Sequence, residues 1–135
     1  MKNTLLLLVL FISFSSPAQK KADIKETEIE VNEKNICKNW IFKDIINPDM
    51  TEAERKEHKE LMEAFYLNLK EDHTCKMDMI MEEDGTWKLD PAEKTITIKK
   101  NDRNQTNVWK VHSLTKNQLI VSRNDATQKI ILTAG

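Results

Sequence analysis

The chain opens on an apolar run and then mixes apolar and charged positions almost to its end. Residues 5–14 are apolar except for Ser13, with Lys2 before them and Ser15-Ser16-Pro17-Ala18-Gln19 after. This is the layout of a secretory signal: charged start, short apolar stretch, small residues before the cut. The run is about half the roughly 20 residues that a spanning helix needs, so no membrane anchor is expected. Ser16 and Ala18 fit the small-x-small rule, which places cleavage after Ala18. The chain is therefore expected to be exported, periplasmic or secreted.

Residues 19–34 are charged and poor in apolar positions, a polar segment ending in a short strand near 29–31. The first strong element is ICKNWIFKDII at 36–46, with Ile36, Trp40 and Phe42 on one phase of a two-residue period. Asn47-Pro48-Asp49 breaks it. A helix is predicted over 52–69, free of Gly and Pro, capped by Asp49 or by Thr51 with Glu54 three residues on. Leu61, Met62, Phe65 and Leu69 give its second half an apolar stripe, while EAERKEHKE is charged all round. Such a helix lies on the body through its C-terminal half, as a lid on a barrel mouth would.

After Asp72 the pattern is that of strands: CKMDMIMEE, TWKLD, TITIKK, NVWKVHSL, QLIVSR and QKIILT. Asp84-Gly85, Asp90-Pro91, Asn101-Asp102, Thr115 to Asn117 and Asn124-Asp125 read as the turns between them. Short polar turns join antiparallel neighbours, and a meander of this length curls until its edges meet. The predicted fold is mainly β: a small antiparallel up-and-down barrel of about 7–8 strands, with one helix inserted after the first long strand. An eighth strand is not evident; 24–32 or a dimer mate are the candidates.

Cys75, Met77, Met79 and Met81 alternate with Lys76, Asp78, Ile80 and Glu82. The charges mark the second face as wet, so the methionines are expected inside. Residues two apart on a strand lie about 6.5–7 Å from each other, too far for neighbouring sulfurs to share one Cu(I), so no metal site is expected. Met fills irregular apolar space, as core or as pocket lining, and both uses remain open. Trp40, Trp87 and Trp109 are expected in the barrel, the last two with Val111 beside a pocket.

Composition narrows the function classes. The 135 residues carry 21 Lys and Arg against 22 Asp and Glu, and losing Lys2 leaves 20 against 22. That balance lacks the basic footprint of a nucleic-acid binder. About 117 residues make one domain with a single core. The two cysteines, Cys37 and Cys75, are expected to be bridged in an oxidising compartment. His58, His73 and His112 form no ligand pair, and Ser113 and Ser122 lack a nucleophile setting or an evident base. Gly85 is the only glycine before Gly135, which excludes a phosphate-cradling loop. No catalytic residue and no cofactor is expected.

Lys38-Asn39-Trp40, then DGTWKLDPAEKTITIKK, then WKVHSLTKNQLIVSR form a series that resembles the small lipocalin-like domains exported by Bacteroidetes bacteria. The resemblance spans about residues 36–133 and divides the chain into a signal peptide at 1–18, a polar segment at 19–34 and a lipocalin-like domain at 35–135. It implies a binding module and offers no catalytic residues. Two readings follow. In the first, Met77, Met79, Met81, Trp87, Trp109 and Val111 line an interior that holds a small apolar ligand, with Phe65 and Leu69 closing one side. In the second, a filled barrel acts through its surface on an envelope protein, as an inhibitor or accessory subunit.

Overall fold

A computed structural model describes residues 26–78, 81–102, 104–124 and 126–135. Eight antiparallel strands run up and down and close into a barrel in sequence order. They are β1 (Asn39–Ile46), β2 (Tyr66–Leu69), β3 (Thr74–Asp78), β4 (Glu82–Asp90), β5 (Thr95–Lys100), β6 (Thr106–Leu114), β7 (Gln118–Arg123) and β8 (Lys129–Ala134). A one-turn helix α1 (Glu33–Ile36) precedes β1, and α2 (Glu52–Leu61) follows it. The alternation seen in the sequence becomes the two faces of the wall. Inward positions such as Trp40, Leu67, Cys75, Trp87, Ile96, Ile98, Val111, Leu119 and Leu132 merge into one buried cluster.

Three boundaries differ from the expected ones. The helix stops at Leu61 rather than Leu69, and Leu61 is largely exposed. The apolar residues beyond it alternate instead: Leu67 and Leu69 are buried, Tyr66 and Asn68 half-buried. Pairing with β1 and β3 buries them better than a helical stripe would, and this short segment is the missing eighth strand. Second, β3 ends at Asp78, whose Cα partner is Glu82, so the strand stops short of Met81. Asp84-Gly85 lies inside β4. Third, Ile36 belongs to α1 rather than to the first strand. Thr51 caps α2 as expected, its hydroxyl accepting from the Glu54 N–H at 3.2 Å.

The barrel's two ends differ. At the end where β1 begins, α1 forms a floor: Ile36 and Trp40 are fully buried, and Trp40 Nε1 donates to the Ile36 carbonyl at 2.9 Å. Ile29 and Val31 pack against the core from below, and the Ile29 N–H donates to the Leu114 carbonyl at 2.9 Å. Glu26 accepts from Asn117 Nδ2 at 3.1 Å and from the Thr115 hydroxyl, which ties the segment to the β6–β7 turn. His73, expected as an ordinary histidine, contacts Glu33 of α1 and packs on Trp87, with ring centroids 5.4 Å apart.

The expected Cys37–Cys75 bridge is a correction: both thiols are free. Leu69 explains why. Its N–H donates to the Lys38 carbonyl, and its Cα partner on the other side is Cys75. The two cysteines therefore flank a strand and stand about two strand spacings apart, roughly 9–10 Å. A disulfide needs Cα atoms within about 7 Å. Burial pushes both thiols up, Cys75 to about 11. The same mass is expected with and without reductant, and iodoacetamide at pH 8 should reach Cys75 only after unfolding.

At the other end β1 outruns β2. It pairs with β8 as far as Ile46 but with β2 only through Ile41. An ion pair stands in for the absent strand. The Ile45 N–H donates to Asp44 Oδ1 at 2.7 Å, and the Ile45 carbonyl accepts from Arg55 Nε at 3.2 Å. Arg55 of α2 closes the ring on Asp44 Oδ2 at 2.6 Å. Burial pushes the Asp44 carboxyl up, but the Ile45 N–H, the Arg55 hydrogen bond and charge, and Lys59 outweigh it and hold it below its usual 3.8. A depressed carboxyl stabilises the fold above its unfolded value and loses that contribution as pH falls through the folded one. Arg55→Ala should lower the melting temperature at pH 7 and speed exchange of the Ile45 amide. The gap to the parent should narrow below about pH 3.8.

Candidate functional site

The end opposite the α1 floor, here the open end, carries the β3–β4, β5–β6 and β7–β8 connections and the long excursion through α2. Residual exposure of the apolar core is highest there. Among the core, Met77 is 7 %, Ile130 6 % and Trp109 4 % exposed, all near that end; Ile36, Trp40 and Leu132 are at 0 %. Phe42 is half-buried and packs on the same cluster. It lies on the inward phase of β1, opposite Leu132. Together these residues make an apolar collar.

Three charged side chains share the inward phase there. Glu83 lies two residues before Gly85 on β4 and is the Cα partner of inward Met77. Lys100 follows inward Ile98 by two on β5. Their side chains are 13 % and 17 % exposed, and Lys100 Nζ stands 2.9 Å from Glu83 Oε2. The contact is an ion pair without the directional geometry of a hydrogen bond. Arg123 ends β7 as the Cα partner of Trp109, and its guanidinium lies 5.7 Å from the centre of that ring. Taking a carboxylate and an ammonium partly out of water is costly even when they pair. Ion pairs inside an apolar wall therefore attract a functional reading.

The tryptophans divide sharply. Trp40 donates to Ile36 and Trp87 Nε1 to the Lys70 carbonyl at 2.9 Å, so both indoles are satisfied at the floor. Among the described residues Trp109 Nε1 is buried and without a hydrogen-bond partner, as is Glu83 Oε2. An unpaired buried donor costs about 1–3 kcal/mol, which a ligand acceptor would restore.

The expected lining residues are thus separated. Met77, Trp109 and Phe65 stand toward the open end. Trp87, Leu69 and Val111 are packed into the cluster below, with Trp87 and Leu69 near the β2–β3 turn and the Val111 N–H on the Lys94 carbonyl. Met81 is corrected: it is 61 % exposed, because the strand ends at Asp78 and the alternation does not carry through the turn. Met79 and Ile80 lie outside the described residues. Phe42, Glu83, Lys100, Arg123 and Ile130 were not among the expected site residues. Their signal was present as charges on the apolar phase of Glu83-Gly85-Trp87 and Ile96-Ile98-Lys100, but the misplaced turn at Asp84-Gly85 hid the first.

Two grooves flank α2 on the outside. One, of about 620 Å³, runs between Phe42 and Lys43 of β1 and Arg55, Lys56, Lys59 and Glu63. The other, of about 810 Å³, is lined by Ile45, Ile46, Pro48, Met50 and Lys129 among others. The outer wall also holds a His–Ser contact that the sequence did not suggest, His112 Nε2 to Ser122 Oγ at 2.7 Å. Ser122 is 2 % exposed, so its hydroxyl is closed to a substrate and the pair fastens the bulge between Val111 and Ser113. Burial, then Lys129 and Lys110, lower the His112 pKa.

No family model matches the chain, and no curated protein matches it. A solved structure is similar: a DUF4847 family protein from Bacteroides vulgatus ATCC 8482, with 15 % sequence identity and a TM-score of 0.55. The match covers 75 % of this chain and 94 % of that one. At this identity the likeness shows a shared fold.

Proposed function

We propose that this protein is an exported, lipocalin-like binding protein that takes a small apolar ligand at the open end of its barrel. The observation that carries the reading is the asymmetry of the interior. The floor half is packed and its indoles are paired; toward the open end Met77, Ile130 and Trp109 keep slight exposure, Phe42 is half-buried, and the Trp109 N–H has no acceptor among the described residues. Ligand sites are mostly apolar concavities with a few placed polar groups, and small barrels carry them at their mouths. The signal-like residues 1–18 support export, and the resemblance across 36–133 supports the lipocalin-like assignment.

A second reading keeps the barrel filled and gives the work to its surface, against an envelope protein. The grooves on either side of α2 favour it. Native mass spectrometry of gently purified protein separates the two. A bound organic mass lost on denaturation is the expected result. An apo mass, together with an unrelated protein holding a fixed stoichiometry, would establish the second reading instead.

A further inference from the structure

One carboxylate docks α2 on the barrel. Of the ten residues of this helix, all described, only Arg55 and Lys59 are half-buried and the rest are exposed. The two stand about one turn apart on the same face. Both reach Asp44 of β1, Arg55 Nη2 at 2.6 Å from Oδ2 and Lys59 Nζ at 3.6 Å from Oδ1. Arg55 Nε adds its hydrogen bond to the Ile45 carbonyl at 3.2 Å. Packing on the apolar core begins only beyond the helix, at Met62 and Phe65. Isolated helices shorter than about 12–15 residues are marginal in water, so docking and helix formation are coupled here. Glu52 lies behind Arg55 at 3.3 Å, and β8 sets apolar Ile131 opposite Asp44. Glu52 and Arg55 also line both grooves beside α2, which makes the same contact the partition between them.

We propose that α2 is a latched strap, docked across the edge of β1 while Asp44 is charged and released as a unit, with the barrel still closed, when that charge is lost. Release bares the Ile45 N–H and carbonyl, which Asp44 and Arg55 now cover. It also joins the two grooves into one cleft along β1. The wall stays closed because β1 keeps its ladders to β2 and β8, neither of which uses α2. The inference is independent of what the barrel binds.

Native-state hydrogen exchange on the full mature chain tests this amide by amide. Asp44→Asn keeps the shape of the side chain and removes its charge. The Arg55 and Met62 amides, bonded within α2, and the Ile45 amide, bonded to Asp44, are the reporters. Each should exchange about ten-fold faster in the variant, as expected for losing one charge-assisted hydrogen bond. Amides of β4 to β7 should stay within about two-fold of the parent. Arg55→Gln should accelerate the same reporters, and the double variant should add less than about two-fold more, since both changes break one contact. Asp44 and Arg55 side chains are 24 % and 36 % exposed, so neither variant cuts into the core. Unchanged α2 amides in Asp44→Asn would overturn the latch. An equal rise across the strands would overturn it too, because α2 would then belong to the barrel's own cooperative unit. Effects that multiply in the double variant would likewise overturn it, by showing that the two residues hold different contacts.

Discussion

Replacing Trp40 by alanine should destabilise the barrel by about 3–5 kcal/mol, the range for losing a large buried aromatic. Trp40 is fully buried and stands where the floor meets the wall. Its ring fills the space above α1, and its Nε1 is the donor for the Ile36 carbonyl. Alanine leaves a cavity, an unpaired carbonyl and a one-turn helix with less to rest on. Natural domains hold only about 5–15 kcal/mol in total, so this single change removes a large share. Urea unfolding, followed by far-UV circular dichroism at constant slope, measures it. Trp40→Phe separates the contributions: it keeps most of the apolar body and removes only the donor, for a smaller loss. A Trp40→Ala variant with the parent's midpoint would mean that α1 does not form the floor.

Gly85→Ala should also destabilise, by about 1–3 kcal/mol, although a general rule points the other way. Glycine inside a strand is unfavourable by roughly 0.5–1 kcal/mol relative to alanine, so the substitution ought to help. Here a Cβ would stand 2.5 Å from the Lys99 carbonyl oxygen and 3.4 Å from Cys75 Sγ. The first contact is with backbone, which yields only if β4 and β5 move apart. Gly85 is therefore a point of close approach within the wall rather than a turn residue. Larger side chains should be worse in order of size, and a stabilised Gly85→Ala variant would show that the β4–β5 register is different.

Much of the fold was legible because an antiparallel barrel writes its faces into a two-residue period. Trp109 and Val111, Ile96 and Ile98, and Leu119 and Val121 stand on the inward phase that alternation indicates. What the pattern concealed has physical causes. Tyr66–Leu69 is only four residues long, too short for a period of two to be told from a helical stripe once Leu61 and Met62 precede it. Asp-Gly is a strong turn signal, and its place inside β4 reflects crowding from β5, a non-local contact that local sequence does not record. The cysteine expectation came from the compartment, whereas the outcome was decided by the strand between them. The site was half legible. Met77 and Trp109 were found by hydrophobicity, but the ionic residues beside them became visible only when the register put Glu83, Lys100 and Arg123 on the inward phase.

The three indole N–H groups offer the most direct test, because each is a separate resonance in a proton–nitrogen correlation spectrum. Those of Trp40 and Trp87 are already bonded to the backbone at the floor, and that of Trp109 has no partner among the described residues. On titration with 1-octanol, whose hydroxyl oxygen accepts hydrogen bonds, the Trp109 indole should shift downfield as its N–H gains an acceptor, while those of Trp40 and Trp87 stay in place. Binding that moves the Trp40 or Trp87 resonance and leaves Trp109 still would put the ligand at the wrong end of the barrel and contradict the assignment.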